Sequence, residues 1–168
     1  MSKYSVKEYL EEQKSQQDKD IKNREGSQPK KYHSGLSKST KEKRDAHFKK
    51  GAKMDDDNPE AYKKAPGDAK AKTKESKYTK KYKEKFGEEV EFITEDPDKA
   101  LQKKAKDSGI SLSILRQVYK RGVAAWRTGH RPGTTPEQWG FARVNSFIVG
   151  GKTRRTADAD LWRKHKGQ

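Results

Sequence analysis

The fold of this chain is decided between Ser111 and Val149, "SLSILRQVYKRGVAAWRTGHRPGTTPEQWGFARVNSFIV". Leu112, Leu115, Tyr119, Val123 and Trp126 recur at helical spacing, with Val118 beside them. The first part therefore predicts a helix from Leu112 to Trp126 or Arg127, capped by Ser111. Thr135 to Gln138, "TPEQ", is a capping box with proline at the first helical position. It predicts a second helix from Pro136 to about Val149, stopped by Gly150 and Gly151. Between them lies a polar loop, "RTGHRPGTT", framed by two tryptophans.

Working outward, "DPDKALQKKAKDSG" predicts a helix from Asp98 to Asp107 closed by Gly109. Thr156 is placed to cap a last helix, "ADADLWRKHK", with aspartates in its first turn and cations in its last, as the helix dipole favours. Four short helices without a strand pattern make residues 97–168 an all-α domain, a compact bundle. Before it, residues 76–96 hold "SKYTKKYKEKFG", whose Tyr78, Tyr82 and Phe86 are spaced i, i+4, i+8 before a glycine stop. That is a short basic helix with one aromatic stripe, suited to packing on a partner helix or on the bundle. Residues 25–75 are rich in Gly, Pro, Ser and Lys without apolar periodicity and read as disordered linker. Residues 1–24 predict an isolated helix from Val6 to about Arg24, with a capping box at Ser5–Glu8 and a staple of Tyr4 on Tyr9. The expected architecture is thus a C-terminal helical bundle preceded by a long, largely disordered basic arm carrying one or two helices.

Composition agrees. Of 168 residues 28% are hydrophobic and 39% charged, too little apolar material to pack the whole chain. The formal charge of +16, from 41 basic and 25 acidic residues, favours an anionic partner, nucleic acid before membrane or acidic protein. Residues 97–168 hold 16 basic and 5 acidic residues, net +11, whereas residues 1–96 hold 25 and 20, net +5. The basic chemistry changes with position. Lysine supplies 23 of the 25 basic residues before Pro97, but Arg116 to Arg163 contains eight arginines and two lysines. Guanidinium groups fork onto phosphate or carboxylate and stack on rings, which suits a binding surface. Without cysteine, disulfides and thiolate metal sites are excluded. No apolar run approaches the roughly 20 residues of a membrane span, and the N-terminus lacks the apolar core of a signal peptide; a soluble intracellular protein is expected.

Candidate binding residues follow from the helical wheel. Arg116, Lys120 and Arg127 form a basic ridge beside the apolar stripe. Trp139 and Arg143, four apart on the face opposite Phe141, Val144 and Ile148, could stack as ring and cation; alternatively Trp139 belongs to a second core face. Arg127, His130 and Arg131, with the amides that open the next helix, could grip a phosphate. The competing reading makes the loop a corner whose His130 and Arg131 bond to backbone carbonyls. Catalysis is disfavoured, because no Ser/His/Asp order, phosphate-binding glycine loop or metal spacing is present. Asp55, Asp56 and Asp57 lack the spaced ligands of a calcium loop, so no metal and no cofactor are expected.

The blocks "RGVAAWRTGHRPG" and "QWGFARVNSF", followed by "TADADLW", resemble a small domain of unknown function widespread in tailed phages, especially marine ones, and in large DNA viruses. The similarity spans roughly Ala65 to Trp162 and implies a viral protein of the host cytoplasm or the virion; it carries no activity with it. The reading that results is a small phage protein binding nucleic acid, DNA first, through the phosphate contacts of its helical domain. The alternative is a virion structural or assembly protein docking on capsid, portal or neck subunits. Neither a membrane nor a small-molecule substrate is expected.

Overall fold

A computed structural model describes residues 17–22, 27–69, 73–87 and 96–167. All regular elements among them are helical, apart from an isolated bridge between Gln17 and Pro29. In chain order the α-helices are α1 (Lys38–Gly51), α2 (Lys77–Phe86), α3 (Pro97–Ser108), α4 (Leu112–Thr128), α5 (Pro136–Ile148), α6 (Lys152–Arg155) and α7 (Ala159–Lys166). Two 3₁₀ turns, Lys30–Tyr32 and Pro59–Tyr62, flank α1. The all-α expectation holds for these residues.

The chain forms two compact units: Met1–Thr73 with Arg127–Thr134, and Lys74–Trp126 with Thr135–Gln168. The first corrects the reading of residues 25–75 as disordered linker. Ser37 caps α1, its hydroxyl accepting from the Thr40 amide. The face α1 buries consists of Lys41, Arg44, Asp45, Phe48 and Gly51. These recur at helical spacing, but only Phe48 is a large apolar residue, so a search for hydrophobic periodicity passes over the helix. Most of the expected helix Val6–Arg24 lies outside the described residues. Its described part, 17–22, is not helical: the Ile21 amide donates to the Asp18 carbonyl in a turn, and Lys41 Nζ reaches carboxylate oxygens of Asp18 at 2.9 Å and Asp20 at 2.7 Å.

The second unit follows the sequence closely. Ser76 caps α2 and Gly87 ends it at φ +86°; Gly109 ends α3 at φ +72°, a left-handed geometry that glycine adopts without a Cβ penalty. Thr135 and Gln138 close the reciprocal capping box of α5. One apolar cluster joins Tyr82 of α2, Leu101 of α3, Ile114, Leu115 and Val118 of α4, Val144, Phe147 and Ile148 of α5, and Leu161 of α7. The aromatic stripe of α2 is therefore packing material, with Phe86 against the same cluster. On α4 the buried face runs through Ile114, Leu115, Val118, Gly122 and Trp126, while Leu112, Tyr119 and Val123 are half-buried. The expected stripe is thus rotated, because the helix turns Gly122 toward Gly140 of α5. Two further corrections fall at the C-terminus. Thr156 ends the short α6, its hydroxyl bonding back to the Lys152 carbonyl at 3.0 Å, and Asp158 takes the cap position of α7.

Candidate functional site

The loop Arg127–Thr134 is held within the first unit, and its polar groups face protein groups. Arg44, fully buried, donates to the carbonyls of Tyr32 (2.9 Å), Pro66 (2.9 Å) and His130 (2.6 Å), and to Asp68 Oδ1 (2.6 Å). Asp68 also takes His130 Nε2 on Oδ2 at 2.8 Å and the amides of Ala65 (2.8 Å) and Gly133 (3.2 Å). Burial alone would raise the Asp68 carboxyl; the hydrogen bonds from His130 and Arg44 outweigh it and hold the pKa at about 2. Phe48 lies under the Arg44 guanidinium, 4.8 Å from ring centroid to carbon, and its ring meets that of His130 edge-on at 5.2 Å. Gln28 donates to the Thr128 carbonyl at 2.7 Å, and the Thr73 hydroxyl donates to the Pro132 carbonyl at 2.7 Å.

Arg127 donates to the carbonyls of Gly51 and Met54, both at 2.7 Å, and forks onto Asp56 Oδ1. Of the loop's three candidate side chains, then, His130 is fully buried against Asp68 and Arg127 is clamped to Asp56. Arg131 is half-buried with no carboxylate in ion-pair range among the described residues. The loop is held as a corner by protein groups: His130 meets the Asp68 carboxylate where a backbone carbonyl was expected, and it is Arg127 that bonds to carbonyls.

The other four candidates sit in the second unit. Arg116 forks onto Asp98, Nε to Oδ1 and Nη2 to Oδ2 both at 2.6 Å, in an exposed pair that holds Asp98 at about 2. Arg143 forks onto the buried Asp158 at 2.8 Å for each bond. Arg121 joins from α4, bonding to Asp158 at 3.3 Å and to both oxygens of Asp160 at 2.7 and 2.6 Å. Trp139 is half-buried, and Lys120 is exposed. Four of the eight arginines of the block, Arg116, Arg121, Arg127 and Arg143, are carboxylate clamps, three of them within the second unit.

In the second unit, besides Lys120 and the α3 lysines Lys99, Lys103 and Lys106, exposed cations lie on three further helices. On α2, Lys77, Lys80, Lys81 and Lys85 are exposed, as are Arg155 on α6 and Arg163, Lys164 and Lys166 on α7. Among the described residues none of these eight has a carboxylate in ion-pair range. The sequence reading counted Arg155 and Arg163 in its arginine block without naming them as candidates, and it passed over the six lysines because it looked for guanidinium groups. The reading also missed Arg44 and Asp68, although Arg44 is one of two arginines in a lysine-rich half, a signal that this position needs a guanidinium.

No curated protein and no solved structure matches the chain. The profile of one family does, over residues 29–162, a span that takes in α1 to α6 and the clamped loop. The chain belongs to the family of unknown function DUF5824.

Proposed function

We propose that the protein binds nucleic acid through phosphate contacts made by its second unit. The observation that carries this reading is the charge left after the clamps are counted. The described residues of that unit hold 20 basic and 8 acidic residues, a surplus of 12. Four of the eight acids, Glu75, Asp98, Asp158 and Asp160, already face Lys83, Arg116, Arg143 and Arg121. The surplus is carried by exposed side chains with long flexible stems, which suits tracking a phosphate backbone without reading bases. A binding protein, not an enzyme, fits the buried contact of His130 with Asp68: the ring is closed off and the carboxylate already serves Arg44. In this reading the protein is viral and acts in the infected cell, a source that rests on the resemblance of "RGVAAWRTGHRPG" and "QWGFARVNSF" to phage domains.

Fluorescence anisotropy with a labelled mixed-sequence duplex tests it. Affinity should be measurable at about 50 mM salt and fall linearly on a log–log plot as salt rises. Absence of binding at about 50 mM, or indifference to salt, would remove the proposal.

A further inference from the structure

We infer that the phosphate-binding site is one continuous ribbon across α2, α6 and α7, centred on Lys77, Lys80, Lys81, Arg155, Arg163 and Lys166. The inference rests on the nucleic-acid reading above and gives it an address distinct from the arginine ridge and the polar loop.

Two sets of contacts join the helices that carry these cations. At the start of α2, the Tyr78 hydroxyl accepts from the Lys152 amide that opens α6, at 3.3 Å. Gly151 makes that approach possible: a Cβ there would lie 2.7 Å from the Tyr78 ring. Asn145 of α5 donates to the Thr79 hydroxyl at 3.3 Å, and the Thr153 hydroxyl of α6 donates to that of Ser146 at 2.9 Å, so both helices are fixed to the same end of α5. Next, Arg154 lays its guanidinium on the Trp162 ring of α7 at 3.7 Å while donating to the carbonyls of Phe147 and Ile148, both at 2.6 Å. Arg154 is thereby committed to structure and its neighbour Arg155 is exposed. On α7 itself, the Lys166 ammonium stands 5.3 Å from the same Trp162 ring, one turn away along the helix.

Among the described residues the charge along this path meets few acids. The acids on the described stretches 73–87 and 151–167 are Glu75, Glu84, Asp158 and Asp160; Glu75 faces Lys83, and the two aspartates face Arg121. On α2 the lysines at 77, 80, 81 and 85 follow i, i+3, i+4 and i+8. Their separation along the axis, about 1.5 Å per residue, puts successive ammonium groups within the reach of adjacent phosphates. A polyanion with regularly spaced charges fits this line better than a single bound phosphate.

Two triple variants of the full-length protein with equal charge loss test the ribbon. One is Lys80→Gln, Lys81→Gln, Arg155→Gln; the other is Lys99→Gln, Lys103→Gln, Lys106→Gln on the exposed face of α3. Both are checked for unchanged far- and near-ultraviolet circular dichroism, then titrated with the same labelled DNA duplex from 50 to 300 mM salt. The ribbon triple should lose tenfold or more in affinity at about 100 mM salt and shed about 2 to 3 from the salt slope, with less than a threefold loss for the α3 triple. Equal losses in the two triples would overturn the ribbon while leaving nucleic-acid binding in place. If the unaltered protein failed to bind the duplex at about 50 mM salt, both proposals would fall. Vesicles containing anionic lipid, run in parallel, should not compete with the duplex; full competition would make the surface a membrane-binding one and overturn the inference.

Discussion

The guanidinium groups of this protein divide into two energetic kinds. Arg44 has no solvent exposure and four protein acceptors, one of them a carboxylate itself 5% exposed. Removing one partner of such a pair leaves the other charge buried and uncompensated, which costs about 3 to 5 kcal/mol. Arg116 and Asp98 make a fork with equally short bonds, but it lies at the surface, where water screens both ions and the pair contributes little. Arg44→Met is therefore expected to lower the urea midpoint of the first unit severely and Arg116→Met to change stability hardly at all, although each deletes one charge and one ion pair. Equal midpoints for the two variants would show that the Arg44 hub does not hold its unit together.

Among the elements, the contact between α4 and α5 depends on two glycines. A Cβ on Gly122 would come 2.8 Å from the Gly140 Cα, and one on Gly140 would come 2.6 Å from the Tyr119 ring. Neither glycine has a positive φ, so a helical alanine would gain up to about 1 kcal/mol of propensity if the space were open. Overpacking should outweigh that gain, so Gly140→Ala is expected to destabilise the second unit by about 1 to 3 kcal/mol, measured by thermal melting. A neutral or stabilising Gly140→Ala would mean that the helices separate at little cost. This scale is also where the sequence was most and least legible. Caps and stops act locally, so Ser76, Thr135, Gly87 and Gly109 marked their helix ends within the residues that form them. The face of α4 was misjudged because a glycine scores as a gap in an apolar stripe, whereas here it is the point of closest approach. Helix α1 was missed because its buried face is mostly polar, and its partners lie 12 to 86 positions away in the chain, beyond any local pattern. The arginine block was visible as a block, but the carboxylates that claim it, Asp56, Asp98 and Asp158, become partners only in the fold.

Over the whole molecule, the two units should answer differently to acid, because they are built from different interiors. The second has an apolar cluster of ten buried side chains. The first buries His33 and His130, Asp18, Asp45, Lys41 and Arg44. Neither ring nitrogen of His33 has a hydrogen-bond partner among the described residues. Burial is the largest influence on it and lowers its pKa from the ordinary 6.5; the charges acting on it are the favourable Asp18 and Asp45 and the unfavourable Arg44 and Lys41. Because the folded chain resists a proton that the unfolded chain accepts, this contribution is fully present above about pH 6.5 and is lost as pH falls through the lowered value. Asp68 has the same sign in a lower window: depressed from 3.8 to about 2, it stabilises above about pH 4 and ceases to do so as pH falls toward 2. In the second unit the carboxyls held at about 2, Asp98 and Asp160, titrate in that lower window as well. Between pH 7 and 5, then, the protection of α1 amides, taken relative to their intrinsic exchange rates, should fall well before that of α5, and His33→Leu should reduce the pH dependence of α1 without altering that of α5. A parallel loss of protection in the two helices, or an unchanged α1 profile in the His33→Leu variant, would show that the buried imidazole of His33 does not set the acid limit of the first unit.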